Sequence, residues 1–355
     1  MKILITGFFG KNNLGDDLML EFFCKNISKS NDVTLLLIYG DEINFELPSY
    51  IKIKKLPKIS KGKSLWIKYF YSINYDKIYW IGGTCFTENA GDGLYKYMKI
   101  FKKRKKSYGY IGVGIGDIKS EKKIQRTKEL LQNAELVTFR DKTSYDYAKS
   151  ICTNQNLFLC DDLVYLSLAN LKKIKYKMKS LVISWRNLEK YIGSDKQEKA
   201  IGILIEFIKK ISKDFDNIII MPVGDSIDIN INKEIYNKLL EEKVDIGIEY
   251  LEDINNDMRI EVILSSELYI CGRLHGIFLS EFNNVNTIAI GYDNKIEIYL
   301  KSINKMEDLI YPEDFSVDKL LEVYKVYNLI DNKLIEEGYK RAINNIELFK
   351  KFNKE

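Results

Sequence analysis

Short apolar runs alternate with longer amphipathic stretches almost from one end of this chain to the other, and few architectures accommodate that rhythm. Runs at residues 2–8, 33–39, 51–56, 77–81, 108–114, 136–140 and 157–160 have the length and apolar, β-branched or aromatic character of buried strands. Helical periods lie between them, as at residues 121–134, where Ile124, Thr127, Leu131 and Ala134 share a face. Strands that are apolar throughout and separated by helices imply a parallel sheet covered on both faces, the α/β class. A polar, lysine-rich passage over residues 170–179 interrupts the alternation. It restarts with strands at 180–185, 217–222, 245–249, 267–271 and 287–291 and a helix at 196–213. The expectation is an α/β fold of two Rossmann-like, doubly wound domains facing a cleft, with residues 1–170 forming the N-terminal domain and 178–316 the C-terminal one. Two helices over 317–355 are expected to pack back on the domains. Such sheets bind ligands outside the carboxyl ends of their strands, which is where chemistry should be sought.

Several function classes are disfavoured at once. The formal net charge of +5, from 55 Lys and Arg against 50 Asp and Glu, is too balanced for a dedicated nucleic-acid binder. Cysteines at 24, 85, 152, 160 and 271 contain no Cys-x-x-Cys pair, so they read as free thiols of a reducing compartment, with no metal-ligand spacing. No stretch approaches the roughly 18 uncharged apolar residues of a membrane span. The apolar run that opens the chain is too short for a signal sequence, and a cytoplasmic protein is expected.

The single histidine, His275, lies in CGRLHGIF, where a strand gives way to a helix. Helix N-termini favour anions, Arg273 adds a fork suited to carboxylate or phosphate, and Leu274 stands between the two. An imidazole there can act as an acid near neutral pH. The plainer reading is that Arg273 caps a neighbouring strand and His275 packs in an interface. In ITGFFGKNNLGDDLML, Asn13, Asp16 and Asp17 stand where a helix should begin. They are either N-terminal capping residues or a source of a carboxylate for an acceptor hydroxyl. Gly82 and Gly83 follow one strand, and Gly112, Gly114 and Gly116 punctuate another, serving a tight turn or a closely approaching ligand. Arg140 and Arg186 end strands, Arg186 doing so in the first strand of the second domain. Trp80 and Trp185 read as core rather than sugar platforms. The basic run 102–106 reads as a solvated helix end, with attraction to an anionic membrane or polymer as its other reading.

Taken in order, NLGDDLML, WIGGT, YIGVGIG, FRDKTSYDYAK, LVISWRN and CGRLHGIFLSEFNNVNTIAIGYDNKI resemble the polysaccharide pyruvyltransferase family over roughly residues 1–300. The resemblance implies a glycosyltransferase-B-like architecture and phosphoenolpyruvate as donor substrate, with no cofactor and no metal. It implies a sugar, oligosaccharide or lipid-linked saccharide as acceptor in cell-surface polysaccharide synthesis. Donor binding falls by the same resemblance on Arg273, His275 and Arg186, and the Tyr-Asp-x-Lys segment on Tyr292 and Lys295. Localisation at the inner face of the membrane, with peripheral membrane association, is a further expectation. The chain departs from the family pattern at Thr84, where a third glycine is frequent, and at Asp117 and Asp162, where proline is. Those positions bear on the acceptor more than on the reaction.

On this reading His275 is the acid, assisting phosphate departure or protonating the enol, and Asp16 or Asp17 orients the acceptor. Arg140, Asn13, Gly82 and Gly83 complete the expected binding set. Two rival readings exist. The first is a nucleotide-sugar glycosyltransferase of the same architecture: many retaining members resemble one another through two glutamates eight residues apart, but the residue eight before Glu281 is Arg273, which leaves the inverting kind open. A non-catalytic carbohydrate- or phosphate-binding relative would keep the fold without the chemistry.

Overall fold

The computed structural model describes residues 1–29, 31–38, 42–56, 63–89, 91–169, 177–224, 226–326 and 329–354, without the side chains of 63–65 and 226. Two compact units are present. The first comprises Met1–Lys11, Asp16–Asn170 and Glu336–Glu355, and the second Asn12–Gly15 and Leu171–Ile335. Residues 170–176 of the polar passage lie outside the described residues.

Along the first unit run β1 (Lys2–Thr6), α1 (Leu14–Asn26), β2 (Asp32–Leu37), β3 (Lys52–Lys55), α2 (Lys63–Asn74), β4 (Lys77–Ile81), β5 (Thr84–Phe86) and α3 (Tyr95–Lys103). They are followed by β6 (Ser107–Ile115), α4 (Glu121–Asn133), β7 (Leu136–Phe139), α5 (Lys142–Ile151) and β8 (Leu157–Leu159). The strands form a parallel sheet in the order β3-β2-β1-β4-β6-β7-β8, with β5 pairing β6 off that path. The central strands β1 and β4 are buried beyond their first residues because helices cover both faces. Edge strand β3 is exposed throughout, and its lysines Lys52, Lys54 and Lys55 discourage pairing with another chain.

The second unit holds β9 (Ser180–Ser184), α6 (Glu189–Ile192), α7 (Ser194–Ile211), β10 (Asn217–Ile220), α8 (Ser226–Glu241), β11 (Gly247–Tyr250) and α9 (Asn256–Ser265). It continues with β12 (Leu268–Cys271), α10 (Leu274–Phe282), β13 (Asn286–Ile290), α11 (Asn294–Ser302), β14 (Leu309–Ile310) and α12 (Val317–Lys325). Its sheet is parallel in the order β11-β10-β9-β12-β13-β14. One core joins Leu181 and Ile183 of β9 to Ile201, Leu204 and Ile208 of α7 and Ile270 of β12. The last helix, α13 (Asn332–Phe352), contributes Phe349 to the first unit, packed edge-on to Phe23 and Tyr79 at ring-centroid distances of 5.1 Å each.

Each expected strand is present, with ends displaced by one or two residues; Tyr39, assigned to one of them, lies outside the described residues. Two strands were not expected. β5 has three residues and β14 two, too short to leave a periodic signal. Trp80 and Trp185 are core residues, 7% and 1% exposed. In both sheets strand order reverses at one pair, β1/β4 in the first unit and β9/β12 in the second, and a crevice opens beyond the carboxyl ends of such a pair.

Candidate functional site

β9 and β12 are neighbours, with Ser184 opposite Cys271, so residues just past their ends meet at the switch point of the second unit. Arg186 stands two residues beyond β9, and a Cβ on Gly272 would lie 2.8 Å from the Arg186 Cβ. Arg273 is the N-cap of α10, in extended conformation, and His275 is the second residue of that helix. Both side chains are therefore presented where α10 offers its unsatisfied N–H groups and the positive end of its dipole. Leu274 is 6% exposed and packs into the core, so what it can offer a ligand is its backbone N–H.

The arginines are fixed in different ways. Arg273 Nε donates to Asp228 Oδ2 at 2.5 Å, while Asp228 Oδ1 accepts from the Asn187 N–H at 3.1 Å. Asp228 is 2% exposed, so this is an internal charge pair that sets the plane of the guanidinium. Backbone bonds to Cys271 lock the arginine's main chain: its N–H donates to Sγ at 3.1 Å, and the thiol donates to its carbonyl at 3.4 Å. Burial pushes the Cys271 thiol up to about 11, so it stays protonated. A Cβ on Gly224 would lie 2.2 Å from Asp228 Oδ2 and 2.4 Å from Arg273 Nη2; only glycine allows the loop after β10 this close.

Arg186 lies over two rings, its guanidinium carbon 4.7 Å from the Tyr292 centroid and 5.7 Å from that of Tyr191. The two rings are 4.7 Å apart, and Arg186 Nη2 donates to Tyr191 Oη at 3.2 Å. The ring faces attract and hold the cation. Among the described residues the buried Arg186 Nε has no hydrogen-bond partner. Lys295 brings its ammonium 5.6 Å from the Tyr292 centroid, and its backbone N–H bonds the side chain of the N-cap Asp293 at 3.2 Å.

The segment Asn12–Gly15 belongs to this unit. Leu14 N–H donates to Val223 O at 3.1 Å, and Asn12 Oδ1 accepts from Arg259 Nη1 at 2.8 Å. These two clips set Gly15 against the histidine, so closely that an added Cβ would be 1.7 Å from His275 Nδ1. Asn13, between the clips, is half-buried.

In the first unit Asp16 and Asp17 both lie in the first turn of α1 but do different work. Asp17 is 1% exposed and accepts from the Gly10 N–H at 3.1 Å, so it anchors the β1–α1 loop. Asp16 is half-buried, and a Cβ on Gly83 would lie 3.1 Å from its Oδ1. Gly82 and Gly83 both adopt positive φ, 66° and 69°, which explains the glycine pair as a left-handed turn beneath Asp16. Arg140 is directed inward: Nη1 donates to Asp162 Oδ2 at 3.1 Å and Nη2 to Thr84 Oγ1 at 2.9 Å. Burial works against its charge, but Asp162, Asp141 and Asp16 more than offset this and hold it protonated. Thr84 and Asp162 thus both hydrogen-bond this arginine.

Glu281 of α10 is 1% exposed and sits among Lys305, at 4.0 Å, and Asp308, which lies 2.7 Å from the same ammonium. Burial pushes its carboxyl up to about 8, partly countered by Lys305 and reinforced by Asp308. A carboxyl raised above its ordinary value of about 4.3 holds its proton in the native state, so its stabilising contribution is complete at low pH and is lost as pH rises towards 8. Glu281→Gln should therefore flatten the fall in Tm between pH 5 and pH 8 in a thermal-melt series.

Asp228, Tyr191 and Gly15 belong to the site but were not among the expected residues. An aspartate in the first turn of a helix and a tyrosine on a four-residue helix carry no distinguishing signal. Gly15 stands inside the NLGDD motif, where its spacing could have marked it.

The sequence profile of the polysaccharide pyruvyl transferase family matches residues 13–294. No curated protein is significantly similar in sequence. Solved structures similar in fold include the UDP-GlcNAc 2-epimerase from Methanocaldococcus jannaschii, 13% identical with a TM-score of 0.66, covering 98% of this chain and 100% of that one. The UDP-GlcNAc 2-epimerase from Neisseria meningitidis bound to UDP-GlcNAc is 13% identical with a TM-score of 0.60, covering 99% and 100%. The UDP-N-acetylglucosamine 2-epimerase from Rickettsia bellii is 11% identical with a TM-score of 0.64, covering 100% and 96%. At such identities the likeness is one of fold, and it is to the glycosyltransferase-B-like architecture.

Proposed function

Because this chain belongs to the polysaccharide pyruvyl transferase family, we propose that it transfers the pyruvyl group of phosphoenolpyruvate to two hydroxyls of a sugar, closing a ketal and releasing phosphate. The observation that carries the reading is the convergence of Arg186, Arg273 and His275 at the switch point of the second sheet. Phosphoenolpyruvate carries a carboxylate and a phosphate, and the site offers two fixed guanidiniums and a helix N-terminus. Arg186, held over Tyr191 and Tyr292, suits the carboxylate, and Arg273 with the first turn of α10 suits the phosphate.

The chemistry balances with the chain's own acid and base groups. The methylene carbon gains a proton and becomes a methyl group, and the first sugar oxygen bonds to the central carbon. The bond from that carbon to the phosphate oxygen then breaks, and the second sugar oxygen closes the ketal. Of the two hydroxyl protons released, one is accounted for at the methyl and the other on phosphate. His275 is the acid of this sequence. Asp16, which directly follows Gly15 in the chain, orients the acceptor, with Asp17 as the loop anchor and Arg140 as its internal support. The acceptor is a sugar, oligosaccharide or lipid-linked saccharide of cell-surface polysaccharide synthesis, handled in the cytoplasm at the inner face of the membrane.

The fold neighbours bring a second reading, a nucleotide-sugar-dependent transferase. For its retaining form, Glu281 is the wrong kind of residue: it is buried among Lys305 and Asp308, with an arginine in place of the glutamate eight positions earlier. Thermal unfolding with phosphoenolpyruvate, UDP and GDP separates the two. A ligand at 100 times its Kd stabilises the native state by about 2.7 kcal/mol, a readable rise in Tm. The expected result is a rise with phosphoenolpyruvate that disappears in Arg273→Ala. A rise with a nucleotide diphosphate alone would overturn the donor assignment.

A further inference from the structure

Helix α2 carries an apolar face that is exposed among the described residues. Trp66 is 75% exposed, Phe70 54%, Ile73 50% and Tyr69 42%, while Tyr71 and Tyr75, in and just beyond the same helix, are buried. Positions 66, 69, 70 and 73 follow the i, i+3, i+4, i+7 spacing of a single helix face. The surround is basic. Arg104 donates to Tyr69 Oη at 2.7 Å with its guanidinium 4.7 Å from that ring, and the Lys68 ammonium lies 5.1 Å from the Tyr97 ring. Lys96, Lys102, Lys103 and Lys105 are exposed on or just after α3, which packs against α2. Among the described residues the acidic partners of these cations are Asp76, on Lys106 at 3.0 Å, and Glu129, on Lys99 at 3.3 Å. By sequence, residues 63–74 and 95–106 carry nine cations and no anion, in a chain whose formal net charge is only +5. The positive charge of the protein is therefore concentrated around this apolar face.

We infer that α2 and the basic end of α3 form a docking surface for an anionic lipid bilayer. Trp and Tyr are the side chains that settle at the headgroup level, and a rim of lysines supplies the attraction to anionic lipid. Among the described residues no helix is long and apolar enough to cross a membrane, so attachment by this surface is peripheral. A second copy of the chain is a poor occupant, because an isologous contact would set this cationic rim against itself. The inference does not depend on the donor chemistry, and its test uses no substrate.

The experiment is co-sedimentation of the full chain with vesicles of phosphatidylcholine alone and of phosphatidylcholine mixed with phosphatidylglycerol. Binding to the mixed vesicles should exceed binding to the neutral ones by about tenfold or more and weaken as salt rises. Trp66→Ser/Phe70→Ser and Lys102→Glu/Lys103→Glu/Lys105→Glu should each remove most of it; these side chains are exposed, so the fold should survive, as circular dichroism would verify. Trp80 and Trp185 are buried, so quenching of fluorescence by brominated lipid would report Trp66. No preference for anionic vesicles would overturn the inference. So would loss on charge reversal with full binding in the Trp66/Phe70 variant, or a dimer that the same variant dissociates.

Discussion

Arg273→Ala is expected to lower kcat/KM for phosphoenolpyruvate by about a thousandfold, near 4 kcal/mol of transition-state stabilisation, the scale of losing one preorganised donor to developing charge. The effect should be that large because the guanidinium is already oriented before any ligand arrives. Asp228 holds its Nε and is itself fixed by the Asn187 N–H, so little reorganisation accompanies reaction. Lysine should not rescue it, since an ammonium cannot keep one edge on Asp228 and present another to phosphate. Asp228→Asn tests the same idea one residue further out. The amide keeps the shape but removes the charge, and the expected loss is about 10- to 100-fold, carried by KM for the donor because the arginine is still present but loosely held. Steady-state kinetics with a Tm for each variant would decide. If Arg273→Ala kept most of its activity, or if Asp228→Asn merely melted earlier with unchanged KM, the donor site would not be here.

Some of this could be seen in the sequence and some could not, for physical reasons. Strands buried on both faces leave continuous apolar runs, so the parallel sheets were visible, whereas β5 and β14 are too short to repeat anything. Arg186, Arg273 and His275 were visible because a strand end followed by a helix start is a local pattern. Asp228 precedes Arg273 by 45 residues, and only the neighbouring positions of β9, β10 and β12 bring the two together. Arg140 shows the converse. Its place at a strand end suggested a ligand contact, but Asp162 and Thr84 draw the side chain inward, and no local pattern records that pairing. Asp16 and Asp17 are adjacent and identical in type, yet helical geometry buries one under the loop and leaves the other half-exposed.

Gly15→Ala should be nearly as damaging to turnover as removing the histidine, although it deletes nothing. In a helix this substitution ordinarily stabilises by about 1 kcal/mol. Here the new methyl carbon would lie 1.7 Å from His275 Nδ1, 2.2 Å from Cγ and 2.7 Å from Cβ. The ring cannot swing clear by moving only its tip, because its Cβ is also too close. The segment cannot retreat without breaking the Leu14–Val223 and Asn12–Arg259 hydrogen bonds. The imidazole must therefore leave its position, and kcat should fall by about 100-fold, the scale of general-acid catalysis, with KM for the donor changed much less because Arg186 and Arg273 remain. A double-mutant cycle makes the argument exclusive. In a His275→Gly background both the ring and its Cβ are gone and the methyl group has room, so adding Gly15→Ala should cost almost nothing further, and the two losses should be far from additive. Full additivity, or a Gly15→Ala enzyme that turns over normally, would mean that the histidine's placement against Gly15 has no part in the reaction.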